Sequence, residues 1–148
     1  MSDLTQIFLN LNPEQRRNVQ LELGRNAFKI WENYAAQFEK IVYFESVVGT
    51  RQIVDKLLPS AALEAVLSGE DTNNVGWRYA EPINAMQDED LVFPDHIEFA
   101  YYAVYNLFKK YVLQENIDDW LICNQALSAE TNPETWADLL NDALLKSL

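Results

Sequence analysis

Apolar residues return at intervals of three and four along most of the chain, and that spacing predicts helices. The first opens at Asn12-Pro13-Glu14-Gln15. Asn12 can accept a first-turn amide, Pro13 suits the first helical position, and Gln15 completes a capping box. Gly24 marks an end or a bend. Over 26–48, Phe28, Trp31, Ala35, Phe38, Val42 and Val48, flanked by Tyr34 and Ile41, predict a long amphipathic helix closed by Gly49. Ile41-Val42-Tyr43-Phe44 and Val47-Val48 have the composition of strands. They fall within the helical spacing and lack alternation or a hairpin turn, so helix is the expectation there. A short helix follows from Thr50 or Arg51 to Leu58. Pro59-Ser60 then restarts the chain into a helix over 61–68, ended by Gly69.

Residues 70–94 break the pattern with Asn73-Asn74, Gly76, Pro82, the run Asp88-Glu89-Asp90, and Pro94. This acidic segment reads as mostly loop with a short helix over 82–87, and long connections of that kind often carry function. Asp95 and Glu98 have capping-box spacing and open a central helix to about Leu113. Its apolar tracks are Phe99, Ala103, Leu107, Tyr111 and Ala100, Val104, Phe108. Asn116 caps a helix holding Trp120, Leu121, Cys123, Ala126 and Leu127. Thr131 or Asn132 with Pro133 starts the last, with Trp136, Leu139, Leu140, Leu144 and Leu145. The expectation is an all-α chain, residues 1–148 forming a single compact bundle of six to seven helices with no significant sheet.

Composition narrows the class. With 148 residues, 49% hydrophobic and 12% aromatic, the chain can bury a core without disulfides or a structural metal. The lone Cys123 cannot form an internal bridge and favours a reducing compartment. No basic leader and no apolar run of membrane-spanning length occurs, so a cytoplasmic location is expected. The formal charge of -12 is unevenly spread: residues 1–60 carry seven basic and seven acidic side chains, residues 61–148 four and sixteen. Such a field repels nucleic acid and anionic lipid and steers a basic partner inward, although it also serves solubility alone.

Reactive chemistry is sparse. One histidine and one cysteine, without a phosphate loop, a serine elbow or paired metal-ligand histidines, disfavour an enzyme, and no cofactor or metal is expected. Asp71-Thr72-Asn73-Asn74-Val75-Gly76 resembles a calcium loop at its first, third and sixth positions. Val75 at the fifth and Pro82 at the twelfth defeat the match. His96 reads as a surface residue among carboxylates and Cys123 as a small core residue. Asp88, Glu89 and Asp90 combine charge with neighbouring apolar and aromatic residues, the mixture that protein interfaces use. Asp88, Glu89, Asp90, Asp95 and Glu98 are therefore the candidate acids, and Trp77, Tyr79, Tyr101 and Tyr102 the candidate packing residues, of a partner-binding surface. Tyr101, Tyr102 and Tyr105 serve equally as flanks of the core.

In overall format and in the stretch from Gly76 to Leu113, especially Phe93-Pro94-Asp95-His96-Ile97-Glu98-Phe99-Ala100-Tyr101-Tyr102-Ala103-Val104-Tyr105-Asn106-Leu107-Phe108-Lys109-Lys110-Tyr111, the chain resembles bacterial immunity proteins of polymorphic-toxin and contact-dependent growth inhibition systems. The resemblance implies a small cytoplasmic inhibitor that neutralises a cognate toxin domain by binding it. A nuclease toxin must be basic to hold phosphates, so carboxylates suit its groove. Two other readings stay open: a helical adaptor or regulatory subunit, and a small enzyme using a carboxylate pair.

Overall fold

The computed structural model describes residues 3–71 and 74–147. Among these residues it is mostly helical, in the order α1 (Asp3–Leu9), α2 (Pro13–Ala35), β1 (Val42–Glu45), β2 (Thr50–Ile53), α3 (Leu58–Ser68), α4 (Val75–Gln87), α5 (Asp95–Tyr111), α6 (Asp119–Ser128) and α7 (Glu134–Ser147). Helices α2 and α5 are the centre. The former packs on α5, α6 and α7, and the latter also on α3, α4 and α6. The core they enclose includes Phe8, Val19, Trp31, Ile97, Leu107, Phe108 and Ile122, each essentially without exposed surface.

The start of α2 follows the sequence closely. Asn12 Oδ1 accepts from the Gln15 amide at 2.8 Å, and Gln15 Oε1 accepts from the Asn12 amide at 3.2 Å, so the capping box is complete. Gly24 neither ends nor caps the helix. A Cβ there would lie 2.3 Å from Leu107 Cδ1, so the missing side chain is what lets α5 approach α2.

The expected helix over 26–48 is corrected. Helix α2 stops at Ala35, and residues 42–53 form an antiparallel hairpin with Val42 opposite Ile53 and Phe44 opposite Arg51. The short helix expected from Thr50 or Arg51 is β2 instead. Two physical reasons stand out. The β-branched and aromatic residues on both sides of the turn favour a pleated surface, and Gly49, at φ 74°, closes a four-residue loop that few other residues would accept. Lys56 Nζ donates to the carbonyls of Ala35 and Phe38, satisfying groups at the end of α2 that a continued helix would have used internally.

The acidic segment is also more ordered than expected. Helix α4 begins at Val75 rather than Pro82 and runs through that proline. Val75, Tyr79, Ile83 and Met86 bury one stripe, and this packing outweighs the local cost of Gly76 and Pro82. Asp71 accepts from the Val75 and Gly76 amides at 2.8 and 3.2 Å, placing an anion at the positive end of α4. Thr72 and Asn73 of the calcium-like stretch lie outside the described residues. Two further caps shift. Pro94, not Asp95, precedes α5, leaving Asp95 as its first helical residue without a side-chain cap. Asp118, not Asn116, caps α6, accepting from the Leu121 amide at 3.0 Å.

A polar knot ties α2, α5 and α6 together. Gln20, buried in α2, donates to the Asp119 carbonyl and carboxylate at 3.0 and 2.9 Å and accepts from the Tyr111 hydroxyl. Arg16 and Lys110 reach the same carboxylate at 3.1 Å each. Burial alone would raise the Asp119 pKa, but the bonds from Gln20 and Lys110 and the two cations outweigh it and hold the carboxyl below its usual range. A depressed folded-state pKa adds stability above the unfolded value of about 4, lost as pH falls through the folded value. Asp119→Asn is expected to cost about 1–2 kcal/mol at pH 6 and clearly less at pH 3. Urea melts at the two pH values check it; an equal loss at both would mean that carboxylate charge contributes nothing.

Candidate functional site

Helix α4 ends in a complete Schellman turn. The Glu89 amide donates to Met86 O at 3.2 Å and the Asp90 amide to Ala85 O at 2.8 Å, with Glu89 in the left-handed conformation at φ 61°. Glycine is the usual residue at that position, and a helix C-terminus favours cations. Asp88 and Glu89 are exposed there and oppose both preferences. Capping accounts for the turn but not for its charge.

The hairpin meets this acidic turn at its tip. Asp90 Oδ2 accepts from the Ser46 hydroxyl at 2.9 Å and from its amide at 3.2 Å. Arg78 in α4 pairs with Asp55 beyond β2. Glu81 and Asp90, with Glu45, lie close enough to the half-way residue Tyr43 to add to the effect of burial in raising its phenol pKa. The hairpin therefore runs alongside α4, base toward Arg78 and tip toward Asp90.

Its other face is open. Val42, Phe44 and Ile53 share the outward face, and Val47 and Val48 form the tip. All five are exposed, Phe44 at 56% and Val47 at 81%. Glu45 folds its carboxylate over the loop, accepting from the Val47 and Val48 amides at 3.0 and 2.9 Å. These five lie together on one strand face and its adjoining loop, a closer grouping than apolar residues scattered singly over a surface.

The sequence-derived site residues divide under this geometry. Asp88, Glu89 and Asp90 come together at the hairpin tip, with Asp90 committed to holding it. Trp77 stands on α4 one turn before Glu81 and is 86% exposed, an available anchor. Asp95 is exposed and Glu98 half-buried on the first turns of α5, beyond the buried Phe93. Tyr102 is half-buried, its pKa raised by burial and by Glu98. Tyr79 and Tyr101 have no exposed surface and so cannot touch a partner in this fold. Tyr79 donates to the Tyr101 carbonyl at 2.8 Å and stacks on Tyr105 at 4.7 Å. Tyr101 packs edge-on against Trp31 at 4.9 Å. Both are core: for Tyr101 that is the second of the two roles open to it from the sequence, and for Tyr79 it corrects the expected packing role.

Chemistry is thin elsewhere. Among the described residues no His, Cys, Asp and Glu side chains gather into a group that could hold a metal ion. No Asp or Glu among them is buried. Cys123 is buried, and that burial pushes its thiol up, away from the reactive form. A groove of about 600 Å³ between α2 and α7 mixes Glu22, Arg25, Lys29, Asp142 and Lys146 with Leu23, Phe28 and Leu139. Among the described residues no helix is long and apolar enough to cross a membrane.

The residues that sequence reasoning missed are Val42, Phe44, Val47, Val48 and Ile53. The signal was present as two β-branched runs before Gly49, Ile41-Val42 and Val47-Val48, with Thr50 and Ile53 beyond it. No family model, no curated protein and no solved structure matches this chain.

Proposed function

We propose that this chain is an inhibitor of the immunity-protein kind, which binds a basic toxin domain and blocks its working surface. The observation that carries the reading is that Asp90 ties the acidic turn to Ser46 at the hairpin tip, which sets the exposed Asp88 and Glu89 next to the loop of the exposed Val47 and Val48, with the exposed Val42 and Phe44 further along the hairpin's outward face. Charge brings a cationic partner in, and desolvated apolar side chains keep it there. The strained and electrostatically unfavoured position of Glu89 supports the same reading, because local stability gains nothing from that residue.

The partner to test is a toxin domain encoded beside this gene, co-expressed for growth rescue and then purified for kinetics. Asp88→Lys with Glu89→Lys is expected to slow association roughly tenfold at low salt, with the gap closing as salt rises and screening shortens the field. Equal association rates at low salt would take these acids out of the interface. Failure of the unaltered chain to bind or neutralise such a domain would overturn the inhibitor reading itself.

A further inference from the structure

The hairpin offers backbone as well as side chains. In an antiparallel ladder, residues alternate between pairing inward and pointing their N–H and C=O outward. The Val54 amide donates to Ile41 O at 2.8 Å, which fixes the phase: with Val42 opposite Ile53, residues 41, 43 and 45 pair with β2, while Val42 and Phe44 aim their backbone groups away from it. Those outward groups have no partner among the described residues. Natural sheet edges are blunted by lysine, proline, bulges or a covering helix. Val42-Tyr43-Phe44-Glu45 has no lysine, proline or bulge, and both outward-pointing residues are exposed.

We propose that the free edge of β1 takes an extended, basic segment of the partner protein as a third strand. This rests on the inhibitor reading and names how the partner engages. Charge chooses the occupant. Glu45 and, on α4, Glu81 and Asp90 lie on the Tyr43 side of the hairpin, whereas Val42 and Phe44 face outward. A strand alternating Lys or Arg with an apolar residue would set its cations on the acidic side and its apolar residues beside Val42 and Phe44. A second copy of this chain is the wrong occupant, since each copy carries a net charge of -12 and would bring carboxylates against carboxylates. The edge of β2 is the wrong edge, because it offers the charged Arg51 on the apolar face where β1 offers Phe44, and the uncharged Thr50 on the other face where β1 offers Glu45.

The test uses the full chain, isotope-labelled, and an acetylated Val/Lys alternating peptide of about seven residues, near ordinary strand length. Amide shifts are expected to concentrate on residues 42–45, with exchange of the Val42 and Phe44 amides slowed at least about fivefold at saturation. A peptide of equal charge, N-methylated at the pairing amides, should bind at least about tenfold more weakly. Equal binding by the N-methylated peptide, or shifts centred on residues 50–53 or away from the hairpin, overturns the proposal. Val42→Pro provides the second arm, because an outward N–H can be lost without breaking the hairpin's own bonds. With the remaining amide spectrum unchanged, peptide binding should again fall about tenfold; unchanged binding overturns the proposal. In growth rescue, full neutralisation by Val42→Pro overturns strand addition and leaves the inhibitor reading standing. Failure of the unaltered chain to neutralise overturns that reading, while the peptide titration still judges the edge.

Discussion

Trp31→Ala is expected to lower the free energy of unfolding by about 3–5 kcal/mol, the range for removing a fully buried aromatic side chain. Trp31 is 1% exposed and touches rings from three directions: Phe93 at 5.4 Å, Tyr101 at 4.9 Å and Tyr34 at 6.2 Å between centroids. Its indole N–H also donates to the Lys56 carbonyl at 3.2 Å, just after the hairpin returns to the core. Truncation would open a cavity among α2, α5 and the 91–93 stretch and leave that carbonyl unpaired. Trp31→Phe separates the two contributions. It keeps most of the ring packing, loses the hydrogen bond, and should cost less than half as much. Chemical denaturation with an unchanged m-value measures both. A loss below about 1 kcal/mol for the alanine variant would mean that these rings do not form the centre of the core.

The opposite behaviour is expected one element later. Phe44→Asp combined with Val47→Asp should leave unfolding stability within about 0.5 kcal/mol, since both side chains stand in water. Under the proposed inhibitor role, affinity for the toxin domain should nonetheless fall at least about a hundredfold, near 2.7 kcal/mol, because central apolar residues carry most of the energy of a protein interface. Phe44 pairs with the exposed Arg51 across the hairpin and packs into no core, so little in the isolated chain depends on it. Calorimetric titration beside a thermal melt distinguishes the cases. A lower melting temperature with unchanged affinity would make these residues structural and remove the hairpin from the docking surface.

How much of this was legible in advance depended on whether the signal was local. The capping box at Asn12, the αL glycine at Gly69 and the Ala100, Val104, Phe108 track of α5 rest on spacings within a few residues and appear where the sequence places them, whereas Phe99 of the neighbouring track is exposed. The hairpin was not legible because Val42 and Val48 happen to extend the helical phase of Phe28, Trp31 and Ala35. The arrival of Lys56 at the end of α2 also favours stopping at Ala35, and that contact spans 21 positions. Helix α4 was obscured by Gly76 and Pro82, whose unfavourable propensities are overcome by burial against elements distant in sequence. The acids were legible as a cluster, and their partner Ser46, 44 residues away, was not. Tyr79 and Tyr101 show the limit of composition: a tyrosine with a satisfied hydroxyl and one packed against tryptophan read alike until their surroundings are known.

The turn that ends α4 bears on how this chain should respond to selection for robustness. Ageing, heat or protease challenge would reward exchanging Glu89 for glycine and Asp88 for lysine, since each swap suits the backbone and the helix end better. Variants enriched by such a screen would thus drift toward a sturdier molecule, and under the proposed inhibitor role a library selected on endurance alone would erase the two side chains that a screen for recognition would keep.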